Sequence, residues 1–376
     1  MAFRYHQTIV FYTNTCVLAS ERIASMNGIL KGDKVIMGKD STEELYNNLY
    51  YGRIKDETLE LALVEAAYLL DRDKITVSTD GVALSFRDFF TIASKLQEYF
   101  ELKYIVYRDL RERGYYVQPS VTDFRVYPRG GKPGVSASQY FIHVVTERKP
   151  LPLSQLISNL QSALNVRREM VLAIVDEESD ITYYGVKFQR MKGGMGPLAM
   201  ELKKGVATLM ADRVIVWDQD LSWELHRQGF YGNMLDEKRL QLSLVESAYL
   251  MAEYGMDILD SRTGDQLVLD DFIHKALRLE PIFEGKLKVY RDLRAKGLVA
   301  KTGFKFGSHF RVYEKIETIQ RIPHSLYLVD FIGKDHVFDL TDMSRSIRLA
   351  NSVRKEMVFA FEQEGIQYFS LGRIKL

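Results

Sequence analysis

Residues 304–315 read FKFGSHFRVYEK, residues 322–331 IPHSLYLVDF and residues 345–357 RSIRLANSVRKEM. An earlier part of the chain repeats this frame as TDFRVYPRG at 122–130, SASQYFIHVV at 136–145 and LQSALNVRREM at 160–170. The later copy places Tyr313, His324 and Lys355 (a phenol, an imidazole and an ammonium) on three successive structured segments. In the earlier copy Tyr127 persists, Ser138 is read in the place of His324, and Arg168 in that of Lys355. One copy holds a possible reaction centre and the other has lost it.

The repetition extends outward from these stretches. GDKVIMGKDSTEELYNNLYYG, ending at Gly52, matches ADRVIVWDQDLSWELHRQGFYG, ending at Gly232. LELALVEAAYLLDRDKITV from Leu59 matches LQLSLVESAYLMAEYGMDIL from Leu240. A period of this length is far too long for a solenoid and is that of a tandem duplication. The expected boundaries are 1–100 and 101–190 for copy one and 205–284 and 285–376 for copy two. The segment before about Ile29 has no later counterpart and reads as an extra strand or hairpin. The paired glycines of 187–204 read as the linker.

Within each copy the expected order is a small mixed unit followed by a second unit that closes on a β-hairpin. Ser41-x-x-Glu44 reads as a capping box opening a helix that stops at Gly52. Leu59, Leu61, Leu63, Val64, Ala67 and Tyr68 follow as an apolar stripe read as helix, and Ser85-x-x-Asp88 opens another helix. YIVYRDLRERG and LKVYRDLRAKG are amphipathic helices that end at Gly114 and Gly297. Strands are expected at 124–127 and 310–313, then at 140–145 and 326–331. A helix N-capped by Ser154 comes next in copy one, and the hairpin turns through the acidic residues Asp176 to Asp180. The class is α+β, with small sheets flanked by helices.

Composition limits the function. The 376 residues carry a net charge of +1, so a nucleic-acid partner must meet a local patch rather than a basic molecule. Cys16 is the single cysteine, which rules out an intramolecular disulfide and a thiolate zinc site and suits a reducing, cytoplasmic setting. No apolar run approaches the ~20 residues of a membrane span, and no membrane partner is expected. The loop PRGGKPGVSA at 128–137 carries Arg129 and Lys132. It reads first as a mobile surface loop replacing the lost site and second as a basic loop touching phosphate, and it lacks the P-loop pattern.

Tyr313, His324 and Lys355 suit one reaction in particular. Imidazole is the natural proton donor to a leaving oxygen near neutral pH. A protonated lysine stabilises charge on a phosphorane-like transition state. A phenol accepts a proton once its pKa falls, as a nearby ammonium would make it. The set fits attack of a ribose 2′-hydroxyl on its own phosphate, which needs no metal and no cofactor. Two other classes stay open on the residues alone. One is a metal-dependent nuclease, although Asp270-Asp271 are explained as helix-capping acids; the other is a non-catalytic RNA-binding protein.

The order RVY, HSLYLV, RLANSVRKEMV behind YRDLRxxG, with LYxxxxYG and VEAxYLL in the smaller unit, resembles the archaeal tRNA-splicing endonucleases over nearly the whole chain. The resemblance implies a nuclease-like second unit and cleavage of intron-containing precursor tRNA at bulge-helix-bulge motifs. It implies Tyr313 as general base, His324 as general acid and Lys355 as transition-state stabiliser, with 2′,3′-cyclic phosphate and 5′-hydroxyl products. A duplicated chain with one inactive copy resembles the homodimeric form of the family. The resemblance further implies that Arg348 and Arg373 clamp a bulged base between guanidinium planes. Asp176, Glu177 and Asp180 would form the loop that docks one unit into a basic pocket of another.

Overall fold

The computed structural model describes residues 26–196 and 206–376. The extra N-terminal segment up to residue 25 and part of the expected linker, 197–205, lie outside the described residues. The chain divides into two compact units, one ending at Phe100 and the other running over Glu101–Leu376.

The larger unit is built on a ten-stranded sheet. In chain order its strands are β1 (Val117–Ser120), β2 (Asp123–Val126), β3 (Tyr140–Thr146), β4 (Glu169–Val175) and β5 (Ile181–Phe188). They continue as β6 (Val299–Thr302), β7 (Phe310–Tyr313), β8 (Tyr327–Phe331), β9 (Glu356–Glu362) and β10 (Ile366–Arg373). The spatial order is β6-β7-β8-β9-β10-β5-β4-β3-β2-β1, so the two copies meet where β10 pairs antiparallel with β5. Val186 faces Met170 in the first hairpin and Leu371 faces Met357 in the second, which makes Val186 and Leu371 equivalent; across the seam they face each other. Leu151 and Phe338, each two residues ahead of a flanking helix, likewise pair with each other. The two copies are therefore related by a local two-fold axis through the middle of the sheet.

Strand periodicity decides what lies on each face. Along β9, Met357, Phe359 and Phe361 point to a core shared with the helices Leu153–Asn165 and Leu340–Ser352. Val358 and Ala360 point to a second core under the helix Phe283–Ala295, as the alternation of side chains along a strand requires. Burying each large apolar side chain contributes roughly 1.5–3 kcal/mol, and these two layers fix the sheet.

The larger unit also holds a six-stranded sheet from residues 207–267. The smaller unit holds one of the same strand order, in which Met26–Lys31 takes the place of Ala207–Leu209. The repeat thus begins by Met26, earlier than the expected start near Ile29. Beside each sheet a buried glutamate in the first turn of a helix locks the turn before it. Glu65 accepts the N–H groups of Gly52 and Ala62 at 3.0 and 2.9 Å, and Glu246 those of Gly232 and Ser243 at 2.9 and 3.0 Å.

Four local expectations are corrected. Ser41 makes no side-chain cap, and residues 39–48 form a tight turn followed by a widened helix. Leu59 and Leu61 belong to a strand, and the helix begins at Leu63. The helix expected to be capped by Ser154 starts one residue earlier, at Leu153, after Pro152. Part of the expected linker is packed: the N–H groups of Gly193 and Gly194 donate to the carbonyls of Lys296 and Glu314, both at 2.8 Å. Ser85 caps its helix as expected, accepting from the Asp88 N–H.

Candidate active site

Tyr313 ends β7, Lys355 immediately precedes β9, and His324 lies three residues before β8, the strand between them. The Leu326 N–H donates to the Val312 carbonyl at 3.0 Å, and the Glu356 N–H to the Leu326 carbonyl at 2.9 Å. These bonds hold the loop carrying His324 between the residues next to Tyr313 and Lys355. All three side chains therefore belong to one end of three adjacent strands. Arg354, with a positive φ of 56°, turns the chain out of the preceding helix and sets Lys355 at the strand entrance. Lys355 is buried, and its ammonium donates to the Ser325 carbonyl at 2.9 Å, the residue next to His324. His324 is exposed, and its ring has no hydrogen-bond partner among the described residues.

Electrostatics differ from the expectation in one respect. Burial pushes the Tyr313 phenol above its ordinary range, and the cation that opposes this is the Arg311 guanidinium, not the Lys355 ammonium. Arg311 lies 6.0 Å from the centre of the Tyr313 ring. The Lys355 ammonium is pulled below its ordinary range by burial and, secondarily, by Arg311. A phenol with no hydrogen-bond partner among the described residues, an exposed imidazole and a hydrogen-bonded cation are thus gathered at one sheet end. They are the parts that proton transfer around a charged transition state requires.

Copy one shows what that end looks like without the imidazole and the ammonium. Tyr127 is buried, and its hydroxyl donates to Gln118 Oε1 at 2.8 Å, which ties the phenol down. Arg168 Nε donates to Ser138 Oγ at 3.0 Å. Strand register corrects the placing of Ser138. Tyr140 faces Glu169 as Tyr327 faces Glu356, so counting back from each strand sets Ser138 at the place of Ser325 and Ala137 at that of His324. The imidazole is replaced by a methyl group.

Comparison with known proteins accounts for the duplication. The catalytic C-terminal domain of tRNA intron endonucleases matches residues 100–183 and again 283–368. The N-terminal domain of the same enzymes matches 26–90 and again 206–273. This chain belongs to the tRNA intron endonuclease family. It is 53% identical to a tRNA-splicing endonuclease of Methanosarcina mazei over 92% of this chain and 98% of that one. It is 55% identical to one of Methanococcoides burtonii over the same shares, and 36% identical to one of Haloarcula marismortui, again over 92% and 98%. The chain is an RNA endonuclease.

Within this family member the remaining expected residues are dispersed. Arg373 ends β10, and extending the pairing of Met357 with Leu371 sets it level with Lys355 at the same end of the sheet. It is exposed and lines a cleft with Arg108, Arg113, Asp176 and Asp180. Arg348 is exposed on the helix Leu340–Ser352, its Nε donating to the Ser344 carbonyl at 3.4 Å. Lys132 is exposed in the copy-one loop between β2 and β3. In the acidic turn, Asp176 Oδ1 accepts the N–H groups of Glu178 and Asp180 at 3.0 and 2.8 Å, and Glu177 pairs with Arg148. Asp176 therefore builds the turn that presents Asp180. Asp270 and Asp271 sit in the first turn of their helix, and no group of three or more His, Cys, Asp or Glu side chains among the described residues is placed to hold a metal ion. No helix among them is long and apolar enough to cross a membrane.

Proposed function

We propose that this endonuclease excises introns from precursor tRNA at bulge-helix-bulge junctions by a metal-independent internal transesterification. Tyr313 takes the proton of the attacking 2′-hydroxyl; the O2′–P bond forms as the P–O5′ bond breaks; and His324 delivers a proton to the departing O5′. The charge that builds on the phosphoryl oxygens faces Lys355, a fixed donor in a partly desolvated setting. The products are a 2′,3′-cyclic phosphate and a 5′-hydroxyl. The observation that carries this reading is the meeting of the three groups at one sheet end in copy two, against a methyl group and a tied phenol in copy one.

The working form is a cytoplasmic homodimer with two such centres, copy one serving as scaffold. Arg348 and Arg373 stack on a bulged base, whose unstacked face suits a guanidinium plane. Asp176, Glu177 and Asp180 dock the two chains by charge complementarity, and Lys132 touches RNA phosphate from its loop. The relatives named tRNA-splicing endonuclease support the substrate.

Incubating the protein with an intron-containing precursor tRNA in excess EDTA, followed by end-group analysis, tests the proposal. Exon–intron cleavage with cyclic phosphate and 5′-hydroxyl ends is expected. The His324→Ala variant should lose roughly 100-fold or more in rate, the usual share of a general acid. Cleavage that requires added metal, or that leaves 3′-hydroxyl and 5′-phosphate ends, overturns it.

A further inference from the structure

A second group of cations lies beside Tyr313, and the mechanism above does not use it. Lys301 on β6 faces Arg311 on β7 directly, and Arg311 lies two residues before Tyr313 on the same face of the strand. Like charges set opposite one another destabilise a ladder unless something anionic covers them. Among the described residues Arg311 makes no ion pair, and its Nε is buried without a hydrogen-bond partner. Lys301 is half-buried, and its ammonium donates to the Gly232 carbonyl. Burial pulls it below its ordinary range, with Arg311 and Arg294 acting in the same direction.

Both cations line a cleft of about 310 Å³ together with Tyr290, whose buried hydroxyl also lacks a partner. The carboxylates of that cleft are engaged elsewhere. Glu246 acts on Lys301 across the cleft, yet its oxygens accept from Gly232, Ser243 N–H and Ser243 Oγ. Glu280 pairs with Lys286, and Asp212 with Arg213.

Copy one lacks the pair. Its register sets Gln118 opposite Arg125 where copy two has Lys301 opposite Arg311. Gln118 takes the Tyr127 hydroxyl, and the Arg125 guanidinium lies over the Phe141 ring at 5.3 Å. The second cation thus occurs only in the copy that also holds His324 and Lys355.

We propose that Lys301 and Arg311 form a phosphate-binding subsite that extends the active site along the face of β6 and β7. Its ligand is a phosphate of the RNA backbone other than the one that reacts. A guanidinium fork beside an ammonium, with no carboxylate to spare, matches the geometry and charge of a phosphodiester. The proposal rests on the reading of Tyr313, His324 and Lys355 as the reaction centre.

The test is binding, not cleavage, of a precursor tRNA made with 2′-deoxy residues at the splice sites, measured against salt concentration. Lys301→Gln, which installs the copy-one residue, and Arg311→Gln should each weaken binding about 10-fold at moderate salt. Each should also make the log–log salt slope shallower by about 1, as expected for one lost phosphate contact. Arg311→Lys should keep the wild-type slope, and Arg125→Gln should change nothing. An unchanged slope in both glutamine variants overturns the proposal, as does an equal loss in Arg125→Gln. Inorganic phosphate gives a second arm. A rise in the Tm of wild type that is lost in Lys301→Gln, combined with unchanged RNA slopes, would assign the pair to free phosphate and overturn the backbone assignment. A wild type that binds with the expected slopes but does not cleave unmodified precursor tRNA would sink the catalytic reading and leave the subsite standing.

Discussion

Tyr313 is held in a setting that favours its neutral form, because burial raises the phenol and Arg311 only partly offsets this. Below its pKa the ionised fraction of a group grows tenfold with each pH unit. With His324 replaced by alanine no imidazole donates the proton, and the remaining rate should follow that fraction alone. Residual cleavage by His324→Ala is therefore expected to rise about tenfold per unit between pH 6 and 8.5, since the phenol titrates above its usual ~10. Initial rates across a buffer series would check it; a flat profile would remove Tyr313 as base. At this scale the sequence made the three side chains legible because the repeat supplied an internal control. It misplaced Ser138 by one position because a loop length differs between copies, and only ladder pairing counts residues from the strand inward. Lys301 is not legible in the sequence, because its contrast with Gln118 exists only in the register of β6 against β7 and of β1 against β2.

Among the elements, the YRDLR helices and the closing hairpins were legible because their periodicities are unmixed and glycine ends the helices. Gly114 and Gly297 indeed sit at positive φ, 85° and 74°. The stretch from Leu59 to Tyr68 was not legible, because a strand passes into a helix with no clear break: Leu59, Leu61 and Leu63 alternate as in a strand, while Leu59, Leu63 and Ala67 also keep the four-residue spacing of a helix. The buried Glu65 then defines the junction by holding Gly52. Gly52 has φ 70°, and an added Cβ would lie 2.5 Å from the Glu60 carbonyl oxygen, a backbone atom of the paired strand. Gly52→Ala is expected to destabilise the smaller unit by about 3 kcal/mol, whereas Gly38→Ala, which meets open space, should stay within about 0.5 kcal/mol. Urea midpoints of the two variants would check this, and similar midpoints would contradict the assigned role of Gly52.

At the scale of the whole molecule, the local two-fold axis sets the acidic turn of copy one beside Arg373 at the end of β10, within the same chain. Asp180 is presented by a turn that Asp176 builds, so a test of docking must spare that turn. The double variant Asp176→Asn, Asp180→Lys keeps an acceptor at 176 while reversing the outer charge. If the turn docks two chains, this variant is expected to raise the dimer dissociation constant at least about 10-fold, and salt should weaken wild-type assembly in the same sense. Sedimentation at low and high salt would check both, and unaltered assembly would count against the docking role.

The sequence by itself determined that the chain is a tandem duplication, the order of its helices and hairpins, and which copy kept the imidazole and the ammonium. Those properties are carried by local periodicity and by comparison of one half with the other. Tertiary structure alone decided that β5 pairs with β10 and that Ala137 occupies the place of His324. It alone set Lys301 against Arg311 beside the Tyr313 phenol. Strand register joins residues far apart in the chain, and a shift of one position turns every side chain to the opposite face.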